Sequence, residues 1–220
     1  MKPYYEHAGI TIYHGDCREV LPTLGPVDLV LTDPPYGEVN RPSNGLRVLD
    51  KSDADHATLT DSEIVNLLAP TAKSIYVFCG WGQVSYLQEG FQENGLTTRL
   101  GVWEKTNACP MNGEHLWLSS LEMCVFARKS GAYFSEHCSS TVWSGPFEVD
   151  SNHPTPKPMW LFQRLIAASC PENGTVLDPF MGRGTTLSAA KLWKRNAIGI
   201  DTNEAYCEYA VRRLAQEVLL

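Results

Sequence analysis

The sequence contains no run of 18 or more apolar residues, so no segment reads as a membrane-spanning helix. It has no excess of basic charge either: 18 Lys and Arg stand against 25 Asp and Glu, a formal net charge of −7. Non-specific nucleic-acid affinity comes mainly from Lys and Arg neutralising phosphates, which excludes a uniformly basic nucleic-acid binder. A local basic face is still open, at Arg41, Arg47 and Lys51 or at Arg128 and Lys129. The seven cysteines form no CxxC pair and no histidine pair has ligand spacing, so a structural zinc has no support and no metal is expected. The cysteines read instead as reduced, buried small hydrophobes. The opening MKPYYEHAGITIYHGD lacks the basic region, apolar stretch and cleavage site of a signal peptide, and the expected location is the cytoplasm.

What is present suits a folded domain of 220 residues, 43% hydrophobic and 20% charged, with enough chain for one sizeable core. Seven stretches read as strands, near 10–13, 27–32, 75–79, 98–104, 121–127, 175–178 and 197–201. Several are short, nearly continuous apolar runs, the pattern of strands covered on both faces. Helical segments alternate with many of them. TDSEIVNLLA opens with a capping box, Thr60 and Glu63, and GQVSYLQEGFQENG stops at Asn94-Gly95. PMWLFQRLIAAS places Pro158 at a first helical position, and NEAYCEYAVRRLAQEVL aligns Tyr206, Ala210, Leu214 and Val218 on one stripe. The alternation predicts an α/β fold with a largely parallel sheet. Two segments break it: residues 37–57, rich in turn-forming residues, and residues 128–157, which carry aromatics without a period.

In open α/β sheets, ligands bind beyond the carboxyl ends of the strands. Two such ends carry chemistry. VLDPFMGRGTTLSAA is a strand, a tight turn holding Gly182 and Gly184, and a helix opening with Thr185 and Thr186. Glycines permit close backbone approach, and a helix amino end offers free N–H groups. The next strand ends in IGID, placing Asp201 about 20 residues on, where an acidic side chain can bind ribose hydroxyls. A nucleoside-bearing cofactor fits this pattern. The lysine of a phosphate-binding Walker loop is missing, and the third glycine of a dinucleotide fingerprint is Leu187. Standing alone, the turn also reads as a plain strand-to-helix connection.

The other end is LVLTDPPYG, residues 29–37. Consecutive prolines fix φ and remove backbone donors, so the turn is rigid and presents carbonyls. Asp33 and a proline carbonyl can accept both hydrogens of an exocyclic amine, while Tyr36 offers a face for a planar base. Held this way, the nitrogen lone pair is aimed at an electrophile, which is catalysis by orientation and electrostatics. The bland alternative is an ordinary proline-rich turn.

These residues resemble the amino-group S-adenosylmethionine-dependent DNA methyltransferases. Asp33-Pro34-Pro35-Tyr36 matches the catalytic tetrapeptide, and Phe180-Met181-Gly182-Arg183-Gly184 matches the FxGxG cofactor motif. Their order, catalytic motif first, is similar to the β class. The resemblance implies a seven-stranded, mostly parallel, Rossmann-like sheet with helices on both faces and a small target-recognition insertion. It implies one domain over 1–220, with a catalytic half at 1–128, recognition at about 128–152 and a cofactor half at 153–220. HGDCREVL is similar to the segment in which Asp16 and the Cys17 backbone contact the cofactor adenine. HPTPKP is similar to the motif in which Thr155 and Lys157 meet the methionine carboxylate. Asp178, Pro179, Phe180, Gly182, Gly184, Thr185, Thr186 and Asp201 complete the expected cofactor site.

The implied activity is site-specific transfer of a methyl group from S-adenosylmethionine to N6 of adenine in DNA, by base flipping and without a metal. N4 of cytosine presents the same amine; family members acting on it more often carry Ser where Asp33 stands. RNA, a protein amide and a catalytically silent cofactor-binding module are further alternatives. Trp143, Tyr133 and Phe134 of the short recognition segment read either as packing residues, the commoner role of aromatics in a small lobe, or as DNA contacts, and Arg41, Arg47 and Lys51 of the long loop are further candidates for DNA contact. Against the latter stand Asp50, Asp53 and Asp55, which offset the basic charge. The class also makes a homodimer a candidate assembly.

Overall fold

The computed structural model describes residues 2–35, 59–110, 113–147 and 157–215. Along the chain these form β1 (Tyr5–His7), β2 (Ile10–His14), α1 (Cys17–Val20), β3 (Val27–Thr32), α2 (Asp61–Thr71) and β4 (Ala72–Cys79). There follow α3 (Val84–Glu93), β5 (Thr97–Lys105), β6 (Leu121–Arg128), β7 (Val142–Gly145), α4 (Met159–Ser169), β8 (Thr175–Asp178), α5 (Thr185–Leu192), β9 (Asn196–Asp201) and α6 (Glu204–Ala215).

Local chemistry explains most of these elements. In β3 the run from Leu29 to Thr32 is fully buried, as a central strand covered on both faces requires. α2 begins where Thr60 Oγ1 accepts from the Glu63 N–H at 3.3 Å and the Glu63 carboxylate accepts from the Thr60 N–H at 2.7 Å. α3 stops at Asn94, with Gly95 at φ +77°, a conformation that glycine adopts without a Cβ penalty. Pro158 sits one position ahead of its expected place, as the N-cap of α4. On α6 the buried stripe runs through Cys207, Ala210 and Leu214, and Tyr206 is only half-buried.

All nine strands join one sheet in the order β1-β2-β9-β8-β3-β4-β6-β5-β7. The seven expected strands are present, and β1 and β7 extend the sheet beyond the expected count. Neighbours pair in parallel except at β1 with β2, β4 with β6, and β5 with β6. Leu29 and Leu31 point into one core with Leu161 and Leu165 of α4, Ala190 of α5 and Cys207 of α6. Val30 points the opposite way, into a core with Val20, Ile64, Leu68, Leu87 and Phe91 of α1, α2 and α3. Helices therefore cover both faces.

β3 and β8 lie side by side at the centre and run parallel. From β3 the sheet continues outward to β4, and from β8 it continues the other way to β9. The helices that follow them, α2 and α5, pack on opposite faces. A crevice thus opens beyond the carboxyl ends of β3 and β8, where a doubly wound sheet binds its ligands.

Candidate active site

Both sequence motifs converge on this crevice. Asp33, Pro34 and Pro35 leave the end of β3, and Asp178 to Gly184 leave the end of β8. The two turns are tied by a buried carboxylate. Asp178, only 4% exposed, accepts from Thr32 Oγ1 at 2.7 Å, from Thr186 Oγ1 at 2.5 Å and from the Phe180 N–H at 3.2 Å. Burial pushes its carboxyl up to about 6, because the three donors only partly replace lost hydration. In this structure Asp178 and Thr186 are cross-ties that hold the catalytic strand against the cofactor turn.

The glycine turn follows from its backbone angles. Gly182 has φ +50° and Gly184 has φ +76°, so both occupy the left-handed region. A Cβ on Gly182 would meet open space, whereas one on Gly184 would stand 2.9 Å from the Ala210 side chain. Gly184 is also the N-cap of α5 and brings no side-chain hydrogen bond to that helix. Met181 donates its N–H to the Ile200 carbonyl at 3.1 Å, which anchors the turn to β9.

Asp201 ends β9 beside the turn. Its carboxylate accepts from the Gly182 N–H at 2.9 Å and from the Asn203 N–H at 2.8 Å. Burial raises its pKa, and these two donors oppose the rise. A carboxylate has about four lone-pair sites, so further donors such as ribose hydroxyls fit on this half-buried group. Asp16 caps α1 beyond the end of β2, accepting from the Arg18 N–H at 2.8 Å. The Arg18 guanidinium, as close as 2.5 Å, holds the Asp16 carboxyl below the usual carboxylate range. Cys17 is buried next to it, and burial pushes its thiol up to about 11. The open space at Gly182 and the spare acceptor capacity of Asp201 fit a nucleoside-bearing cofactor. Pro179 is buried behind the turn and Phe180 and Thr185 are half-buried at it.

On the catalytic side Asp33 is half-buried and accepts from Lys157 Nζ at 2.5 Å. The same ammonium lies 3.2 Å from Glu122 of β6, and Lys105 of β5 reaches the other Glu122 oxygen at 2.6 Å. Lys157 also lies 5.3 Å above the Phe78 ring of β4. Its side chain is only 10% exposed. Burial by itself would lower the pKa of Lys157, but Asp33 and Glu122 outweigh burial and raise it. Burial would likewise raise Glu122, but Lys157 and Lys105 hold it below its ordinary range. Glu122 and Lys105 were not anticipated. The one signal for Glu122 is a carboxylate within the apolar run LEMCVFA.

Trp143, a candidate for DNA contact, proves to be a core residue. It is 6% exposed on β7 and packs edge-on to Tyr76, with its ring over Gly101, where a Cβ would stand 2.3 Å from the indole. Indole burial in a slot vacated by glycine leaves no face for a base. Phe134 stacks at 5.9 Å on Phe126, and Tyr133 is exposed. Tyr36, Arg41, Arg47, Lys51 and Thr155 lie outside the described residues. Among the described residues, no three His, Cys, Asp or Glu side chains come together as a metal site, and no helix is long and apolar enough to cross a membrane.

The N6/N4 DNA methylase family model matches residues 27–212, which span both turns and the sheet between them. The chain belongs to this DNA methylase family. Among curated relatives, the Type II methyltransferase M2.LlaDCHI of Lactococcus lactis subsp. cremoris is 28% identical, with 97% of this chain and 92% of that protein covered. The Type II methyltransferase M.HpaI of Haemophilus parainfluenzae is 30% identical over 87% of this chain and 69% of its own length. Among solved structures, the M1.HpyAVI-SAM complex superposes with a TM-score of 0.74 at 27% identity, covering 93% of this chain and 99% of that one. The cytosine-N4-specific PvuII DNA methyltransferase shares the fold, with a TM-score of 0.75 at 17% identity. The DNA methylase motifs thus sit on the fold that such enzymes use.

Proposed function

We propose that this DNA methylase transfers the methyl group of S-adenosylmethionine to the N6 amino group of adenine in DNA. The observation that carries the proposal is the Thr32–Asp178–Thr186 tie, which sets the Asp33 turn directly beside the glycine turn. Asp16, Asp201 and the Gly182 turn would hold the nucleoside part of the cofactor, with Thr155 and Lys157 toward its methionine end. When bound, the cofactor supplies an electrophilic methyl group on a positively charged sulfur.

The chain's own residues supply orientation. The target adenine lies inside the duplex stack and is flipped out to reach the crevice, where Tyr36 stacks on it. Asp33 and the Pro34 carbonyl accept the two amino hydrogens, which turns the nitrogen lone pair out of conjugation and toward the methyl group. The surplus proton leaves to solvent or passes transiently to Asp33. Asp at the first catalytic position supports adenine over cytosine, since family members acting on cytosine more often carry Ser there. DNA is the partner in this reading, with Arg41, Arg47 and Lys51 as candidate contacts, a homodimer as candidate assembly and the cytoplasm as location.

The test is nucleoside analysis of DNA from a methylation-deficient host expressing the protein or its Asp33→Ala variant. N6-methyladenine with the wild type and none with the variant, which still binds S-adenosylmethionine, is the expected result. N4-methylcytosine would transfer the mechanism to the other base, and full activity in the variant would refute the amine cradle.

A further inference from the structure

Resting on the methyl-transfer reading, we infer that Glu122, anchored by Lys105, is a positioning residue that sets Lys157 against Asp33 and thereby fixes the carboxylate that orients the target amine. The four groups form an alternating row of charge: Asp33 to Lys157 at 2.5 Å, Lys157 to Glu122 at 3.2 Å, and Glu122 to Lys105 at 2.6 Å. The row runs across the end of the sheet, from β3 through Glu122 on β6 to Lys105 on β5. Lys157 enters just ahead of α4, on a four-carbon stem with many rotamers. A lone ammonium at Asp33 would hold that carboxylate loosely. A second carboxylate on a rigid strand, itself gripped by a second ammonium, restricts Lys157 to one place. The Phe78 ring beneath the ammonium closes the remaining side.

The row has a function that a stability element does not explain. Breaking a half-buried ion pair is costly, and pairs of this kind contribute little net stability over apolar replacements. An orienting role does account for it, because transfer to an aimed lone pair is sensitive to displacements of about 1 Å. The prediction concerns the chemical step: Glu122 touches neither base nor cofactor in this reading.

The groups facing Lys157 and Asp33 define the pH behaviour. Glu122 and Asp33 face the ammonium directly, and Lys105 acts through Glu122. Cys124 on β6 lies within electrostatic reach of Asp33 and Lys157, Cys79 on β4 within reach of Asp33 and Asp61, and Asp178 on β8 within reach of Asp33. Burial pushes the Cys79 thiol up to about 12 and raises that of Cys124, while Asp178 titrates at about 6. Neither of these thiols therefore titrates between neutral pH and about 10, and Lys157, raised above its ordinary 10.5 by Asp33 and Glu122, keeps its charge across that range in the wild type.

The experiment compares wild type, Glu122→Gln, Glu122→Asp and Lys105→Gln in methyl transfer to duplex DNA, after circular dichroism confirms folding. Activity of the wild type first tests the methyl-transfer reading by itself. Given that activity, Glu122→Gln is expected to lower kcat about 10- to 100-fold, a larger change than the rise in the KM for S-adenosylmethionine that follows from displacing Lys157. Removing the carboxylate also removes a group that raises Lys157, so the alkaline fall in kcat moves to lower pH. Glu122→Asp should recover part of kcat and return the limb, and Lys105→Gln should give a smaller loss in the same direction. A Glu122→Gln enzyme with kcat within twofold of wild type would overturn the inference. So would a loss of kcat with the alkaline limb unmoved and no recovery in Glu122→Asp, the pattern of a merely structural residue. If Glu122→Gln does not fold, Lys105→Gln decides the matter on the same two readouts.

Discussion

Asp178 offers a prediction whose size can be worked out from the structure. Its carboxyl moves from an ordinary 3.8 in the unfolded chain to about 6 when folded, because burial disfavours the ionised form more than Thr32, Thr186 and the Phe180 N–H support it. A folded-state pKa raised above the unfolded value means that folding favours the proton. The associated stability is fully present below 3.8 and lost as pH rises through about 6. The full span is about 3 kcal/mol, and roughly 2.5 kcal/mol of it falls between about pH 4 and about pH 7.5. Asp178→Asn removes the titration and keeps the shape. Its amide oxygen still accepts from Thr32 or Phe180, and the Thr186 hydroxyl, 3.4 Å from the Leu31 carbonyl, can accept from the amide and donate there. Urea unfolding of both proteins across this range is the assay. The stability of the variant relative to wild type should rise by about 2.5 kcal/mol from the acid to the neutral end. A difference that stays constant with pH would refute the buried, proton-binding carboxylate.

Two substitutions separate packing from ligand contact. Trp143→Ala should cost about 3–5 kcal/mol, lowering Tm by about 10 °C, because it empties the slot over Gly101. Its methylation kinetics well below Tm should match wild type; a specific rise in the KM for DNA would restore the contact role. Gly182→Ala and Gly184→Ala both place Ala at positive φ, at a cost of roughly 1–2 kcal/mol each. Only Gly184→Ala also meets Ala210, so calorimetry should find the larger stability loss there. Gly182→Ala instead fills the open side of the cradle, and titration with S-adenosylmethionine should show the larger affinity loss. The reverse ranking would mean that the cofactor does not approach Gly182.

Much of this was legible from local pattern. Continuous apolar runs marked the central strands, the Thr60 and Glu63 pair marked the start of α2, and Asn94-Gly95 marked the end of α3. β1 and β7 were missed because edge strands of three and four residues carry no period of their own; pairing with β2 and β5 makes them strands. Trp143 resolves to its packing role for a related reason. An aromatic in an irregular segment looks like a contact residue until the neighbouring strand is seen to present glycine.

The sequence by itself determined most of the elements, several of their caps, the two glycine and proline turns, and the type of chemistry those turns serve. Each of these depends on residues a few positions apart, whose interactions exist in almost any fold that keeps the element. Tertiary structure alone decided that the turns meet: Thr32 reaches Asp178 across 146 positions, and Lys157 reaches Asp33 across 124. It also decided that Asp178 is a buried tie, and that Glu122 and Lys105 belong to the site. Charges and hydroxyls so far apart in the chain carry no mutual pattern, because strand order and register, set by the packing of two cores on one sheet, are what bring them together.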